Sequence, residues 1–78
     1  MRIGLIINQY RSQNKMSMEK FAKRSGISTA YVEVLEKGIH PKTGKPVQPS
    51  IDVLKKIAVG MNINFKNLYN MLYEEENL

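Results

Sequence analysis

The stretch Ser17–Gly38, SMEKFAKRSGISTAYVEVLEKG, decides how the rest of the chain folds. Its apolar residues Phe21, Ala22, Ile27, Val32 and Leu35 recur at helical spacing on both sides of a break, giving two short helices one shared inner face. The break is Gly26, placed where the first of these helices must stop and reverse through a left-handed backbone that glycine adopts without Cβ strain. Ser28 follows two residues later, and its hydroxyl can accept from the unpaired N–H groups that open the next helix. Ala22, one turn before the glycine, is small enough for the two helices to cross closely. Small residue, glycine turn and branched apolar residue in this order have the spacing of a helix-turn-helix.

On the N-terminal side, Ile3, Ile7 and Tyr10, widened by Ile6, predict a first helix over Arg2–Gln13. Leu5 lies off that stripe and reads as partly buried rather than as a contact. Asn14 and Lys15 end the helix, Met16 plugs the core, and Ser17 caps a second helix whose polar side carries Lys20, Lys23 and Arg24. The third helix runs over Ser28–Lys37 and stops at Gly38. Beyond it, the segment Ile39–Pro49, IHPKTGKPVQP, holds all three prolines, which exclude a continuous helix. Within it Lys42-Thr43-Gly44-Lys45 reads as a turn at the tip of an extended loop, and compact domains rarely keep such a loop without use.

Ser50 caps a fourth helix, with Asp52 near its positive end and Ile51, Leu54, Ile57 and Ala58 as its inner face. Gly60 or Asn62 turns the chain out of it, Ile63 anchors the connection, and Asn64 caps a fifth helix over Phe65–Tyr73. Leu68 and Leu72 face inward by spacing. Phe65, Tyr69, Met71 and Tyr73 wrap further round, leaving more apolar surface than a last helix needs. Glu74, Glu75 and Glu76 fall at the negative end of this helix, where acidic residues are unfavourable and fraying is expected.

Composition bounds the answer. Seventy-eight residues predict one domain, 1–78, with a small core, and the lack of cysteine removes disulfides and thiolate metal sites as braces. An all-α bundle is the natural solution. The apolar run Ile3–Ile7 is interrupted by Gly4 and is too short for a signal sequence or a membrane span, so a soluble, cytoplasmic protein is expected. The net charge of +5 is unevenly placed: nine basic against three acidic residues in Met1–Ser50, three against four in Ile51–Leu78. One face for a polyanion and another for packing or partners would account for that asymmetry.

Ser17–Gly38 resembles the Cro/CI-type (XRE-like) helix-turn-helix family of phage and bacterial repressors. The family's second helix commonly reads S-Q-x-x-L-A-x-x-x-G, matched by Ser17, Phe21, Ala22 and Gly26, with Met18 where a glutamine is usual. Its recognition helix reads S-x-x-Y-[VIL]-x-x-[LI]-E-x-G, matched by Ser28, Tyr31, Val32, Leu35, Glu36 and Gly38. Lys20 stands where an acidic residue would close a capping box.

The resemblance implies a five-helix lambda-repressor-like bundle with a longer loop than usual between helices three and four. It implies duplex DNA as partner, with no cofactor and no metal. The outward, base-facing positions are then Thr29, Ala30, Glu33 and Val34. Ala30 and Val34 suit thymine methyl groups, and Glu33 either accepts from a cytosine amino group or is merely solvated. Phosphate contacts fall to Ser17, Ser28, Tyr31, Lys37, Lys42, Thr43 and Lys45, although Tyr31 reads equally as a packing residue. Arg11 and Glu36 match a pair in which an arginine ending helix one holds the glutamate ending the recognition helix.

Function then reads as sequence-specific transcriptional regulation, by repression through operator occupancy or by activation, with a prophage regulator a fitting origin. A homodimer on a near-palindromic operator is expected, with Phe65, Tyr69 and Tyr73 as contacts or as further core. Two other classes were weighed. An enzyme finds little support, since His40 is the only histidine and the acidic residues are scattered or bunched at the end. A protein-interaction module, antitoxin-like or partner-binding, is the alternative, but it has no reason to keep Ser17, Ser28, Lys37 and a basic loop on one side.

Overall fold

The computed structural model describes residues 3–73 and contains five helices, α1 (Ile3–Gln13), α2 (Met18–Ser25), α3 (Thr29–Lys37), α4 (Ile51–Gly60) and α5 (Phe65–Tyr73). The architecture is all-α, with the five helices that the resemblance implied. The expected start of the first helix at Arg2 and the fraying of Glu74, Glu75 and Glu76 lie outside the described residues.

Helices α2 to α5 each begin where a side chain can satisfy the backbone. Ser17, Ser28 and Ser50 hold extended backbones and accept through their hydroxyls from the N–H groups of Lys20, Tyr31 and Val53 at 3.0, 3.0 and 3.2 Å. Asn64 does the same for Asn67 through its side-chain oxygen, at 2.8 Å. Gly26 takes the left-handed conformation (φ 73°), and the following N–H, of Ile27, donates back to Ala22. At the end of α4 the reversal falls to Asn62 (φ 59°) rather than to Gly60, which stays helical.

The inner faces meet in one core: Ile3, Ile6 and Ile7 from α1, Phe21 and Ala22 from α2, Val32 and Leu35 from α3, Leu54, Ile57 and Ala58 from α4, Leu68 and Leu72 from α5. Met16 fills the gap after α1 as expected, and Met61 does so after α4. Helix α2 packs on α3 and α4, α1 on α3, and α4 on α5. Tyr10 meets Phe21 edge to face at 6.1 Å between centroids.

Two glycines mark the closest approaches. A Cβ at Gly4 would overlap the carbonyl oxygen of Leu35, so α1 lies directly against the backbone of α3. A Cβ at Gly60 would overlap the hydroxyl of Ser25, where α4 crosses the end of α2.

Two expectations need correction. Ile51 is not part of the inner face of α4, being 51% exposed. It is the first helical residue after its cap, and helical side chains tilt toward the N-terminus, so its own points past the end of the helix. Leu5 is 55% exposed, more than a partly buried residue, standing at the rim of a groove between α1 and the end of α3 rather than in the core.

Candidate nucleic-acid interface

The short helices α2 and α3 are joined by only three residues, Gly26–Ser28, and the turn holds them at a fixed angle over the core. With Val32 and Leu35 committed inward, the opposite side of α3 leaves Thr29, Ala30 and Glu33 exposed, with Val34 half-buried at the edge. Lys37 closes the same face. Its ammonium lies 3.1 Å from the Glu33 carboxylate in an exposed pair one turn apart, glutamate first, the favourable order on a helix. Such a pair is worth only about 0.3–0.5 kcal/mol in water. It gives way readily to a better partner for either charge.

Ser17 and Ser28 are exposed at the N-termini of α2 and α3, on the two helices of the turn. Because each hydroxyl oxygen accepts from its own helix, its proton remains available to donate outward. Tyr31 is half-buried and packs against the core, so the packing role proposed for it is met; its ring sits on the first turn of α3.

The orientation of α3 is fixed from its flank, through Glu36. Arg11, in the last turn of α1, donates through Nε to Glu36 Oε2 at 2.6 Å and through Nη2 to Oε1 at 2.9 Å. Its Nη1 donates to the Met16 carbonyl at 2.9 Å, tying the end of α1 to the turn before α2. Asn8 Nδ2 adds a third bond to Glu36, at 3.0 Å. Burial opposes ionisation of Glu36, but the hydrogen bonds from Arg11 and Asn8 and the arginine's charge outweigh it, holding the carboxyl below its usual range. The bond from Glu36 raises the Arg11 pKa, against a smaller opposing effect of burial. Sequence reading did not find Asn8. The signal was there in its position one turn before Arg11, on the same side of α1.

The segment after α3 is a closed hairpin rather than an open loop. Ile39 and Pro46 form an isolated antiparallel bridge, and the His40 N–H donates to the Lys45 carbonyl at 2.8 Å. The tip is closed by the Gly44 N–H to the His40 carbonyl at 2.9 Å, with Gly44 at φ 70°. His40 Nδ1 accepts from the Lys42 N–H, and Thr43 Oγ1 from the Lys45 N–H, both at 3.3 Å. The Val47 N–H donates to the carbonyl of Gly38, anchoring the hairpin to the C-cap of α3. Lys42, Thr43 and Lys45 are all exposed at its tip. Ile39, His40, Pro41 and Gly44 form one wall of a groove whose other wall is Ala30, Glu33, Val34 and Lys37.

Phe65, Tyr69 and Tyr73 form an aromatic ladder along α5, with centroids 6.0 and 4.4 Å apart. Phe65 is packed against the core and lies under the Lys55 ammonium, while Tyr69 and Tyr73 are 44% and 42% exposed. No group of histidine and acidic side chains able to hold a metal occurs among the described residues. None of the described helices is long and apolar enough to cross a membrane.

Fold and geometry together define a helix-turn-helix domain with its second helix free on the outer side. The sequence model of the helix-turn-helix family matches residues 7–68, and the chain belongs to that family, in the XRE-type branch its motifs resembled. It is similar to the HTH-type transcriptional regulator SlrR of Bacillus subtilis, 32% identical over 76 residues that cover 94% of this chain and 46% of the relative. It is also similar to SinR of the same organism, 26% identical over 74 residues covering 95% of this chain and 61% of the relative. The chain thus spans about half the length of the curated relatives it matches. Among solved structures, that of SinR, a master regulator for biofilm formation, in complex with DNA superposes with a TM-score of 0.67 at 25% identity, covering 86% of this chain and 97% of the other. A SinR–SinI complex superposes with a TM-score of 0.68, covering 94% and 65%. The relatives are transcriptional regulators, and no enzyme family is indicated.

Proposed function

We propose that this chain is a single DNA-binding domain that inserts α3 into the major groove of duplex DNA and regulates transcription by occupying an operator. The observation that carries this reading is the outer face of α3, exposed over Thr29, Ala30 and Glu33 while Arg11 and Asn8 hold the helix by Glu36 on its flank. Thr29, Ala30, Glu33 and Val34 meet base edges, with Ala30 and Val34 against thymine methyl groups. Ser17, Ser28, Tyr31, Lys37, Lys42, Thr43 and Lys45 contact phosphates and set the register. Arg11 and Glu36 act structurally, keeping α3 at its angle. The likeness to the DNA-bound form of SinR supports this orientation.

Occupancy represses by excluding polymerase, in the cytoplasm, without cofactor or catalysis; a phage-derived origin suits such a regulator. Two copies join through α5, where the exposed ring faces of Tyr69 and Tyr73, with Phe65 beneath, offer an apolar strip. Their two α3 helices then read half-sites of a near-palindrome about 34–36 Å apart. Titration of the chain into duplexes from a random pool, followed by sedimentation, tests both statements. The expected result is a selected, inverted-repeat sequence carrying two copies. Binding without sequence preference would end the operator reading, and one copy per site without self-association at high concentration would end the dimer.

A further inference from the structure

The outer face of α3 carries no arginine, asparagine or glutamine, the side chains best able to grip two atoms of one base. Something else must add discrimination, and the hairpin after α3 is built for it. Its geometry is set by backbone hydrogen bonds at both ends and at the tip, and it is anchored to the carbonyl of Gly38, the C-cap of α3. A segment serving only as a connection needs none of that closure, whereas a reading element gains from having its ordering cost met before binding.

The wall it raises beside α3 is apolar at the base. Ile39 is 53% exposed, directly after the cap, and with Pro41 it faces Ala30 and Val34 across the groove. Lys37 and the hairpin's Lys42 and Lys45 are all exposed, so a polyanion is the occupant this charge pattern suits. The one acid lining the groove, Glu33, has the Lys37 ammonium 3.1 Å from its carboxylate, so the groove carries no unopposed negative charge. On a base edge in the major groove the one apolar group is the 5-methyl of a pyrimidine.

We infer that the hairpin 39–46 is a second base-reading element, and that Ile39, opposite Ala30 and Val34, receives a pyrimidine 5-methyl group and determines specificity at that base pair. The inference rests on the DNA-binding reading above and deepens it. The groove between α3 and the hairpin, rather than α3 alone, sets the preference, while Lys42 and Lys45 hold the flanking backbone.

The test is a cycle between one side chain and one methyl group. In the best duplex selected from a random pool, each thymine is replaced in turn by uracil, which lacks only the 5-methyl. Affinities are measured for the unaltered chain and for Ile39→Ser, with Ile39→Ala as a second variant should the first not fold. Because Ile39 lies outside the core and none of the hairpin's hydrogen bonds uses its side chain, both variants are expected to melt near the unaltered chain. At one or more positions uracil should weaken the unaltered chain by about fourfold, the worth of one buried methyl or methylene, and the penalty should fall below about twofold in the variants. Equal uracil penalties in all three proteins would overturn the inference and leave DNA binding standing. So would a variant that weakens every sequence alike or alters only self-association. Failure to select any duplex would remove the DNA reading and this inference with it.

Discussion

Replacing Glu36 by alanine probes the device that holds α3 against α1. The carboxylate accepts two bonds from Arg11 and one from Asn8, across 25 and 28 residues of chain, and its side chain is 7% exposed. Hydrogen bonds to charged groups contribute about 1.5–3 kcal/mol each, and stranding one member of a fully buried pair costs about 3–5 kcal/mol. Arg11 is 16% exposed and retains the Met16 carbonyl, so it can move partly into water and recover some of that loss. A net cost of about 2–3 kcal/mol follows. For a domain of this size that is a fall in melting temperature of roughly 10–20 °C, read by circular dichroism.

The pH dependence has a defined sign. The folded-state pKa of Glu36 lies below its unfolded value, so its contribution is complete above the ordinary glutamate range and is lost as pH falls through the folded pKa. The unaltered chain should therefore lose stability on acidification more steeply than Glu36→Gln, which has no charge to lose. DNA affinity measured well below the melting point should also fall in Glu36→Ala, since α3 is then free to tilt. A change under about 0.5 kcal/mol, within the range of ordinary surface substitutions, together with parallel pH profiles, would refute the reasoning.

Other expectations test separate parts of the structure. Gly4→Ala should destabilise by about 1–3 kcal/mol in chemical denaturation, because the clash is with a backbone carbonyl and outweighs the better helix propensity of alanine. Ser25→Ala should be neutral or stabilise by about 1 kcal/mol in the same assay, since the serine hydroxyl is buried with no hydrogen-bond partner among the described residues. Neutralising Lys42 and Lys45 to glutamine should flatten the salt dependence of DNA binding by about two units of log K per log of salt concentration, leaving the preferred sequence unchanged.

Much of this was legible in the chain. Ser17, Gly26, Ser28 and Gly38 mark the limits of α2 and α3 because caps and left-handed turns place local demands that few residue types meet. The core stripes followed from periodicity for the same reason: a buried face repeats at helical spacing whatever packs on it. The departures have a common cause. Ile51 obeys the period of α4, yet it stands half exposed at that helix end, and periodicity carries no information about where a neighbour stops. Gly4 reads as an interruption of an apolar run and is instead a point of close contact with the backbone of α3, visible only once α3 is laid against it. Asn8 joins the Arg11–Glu36 pair through a contact 28 residues distant. In the segment Ile39–Pro49 the turn at Lys42–Lys45 was readable from Gly44, but the closure between Ile39 and Pro46 was not, since prolines there signal only the end of helix.

The most direct measurement is the base preference of α3 itself. Sequences bound by the unaltered chain, by Thr29→Ala and by Val34→Ser are to be selected from one random duplex pool and compared position by position. Each substitution is expected to change preference at a few adjacent base pairs of each half-site with a nearly constant salt slope. Identical selected sequences for all three proteins, or no selection at all, would contradict that expectation.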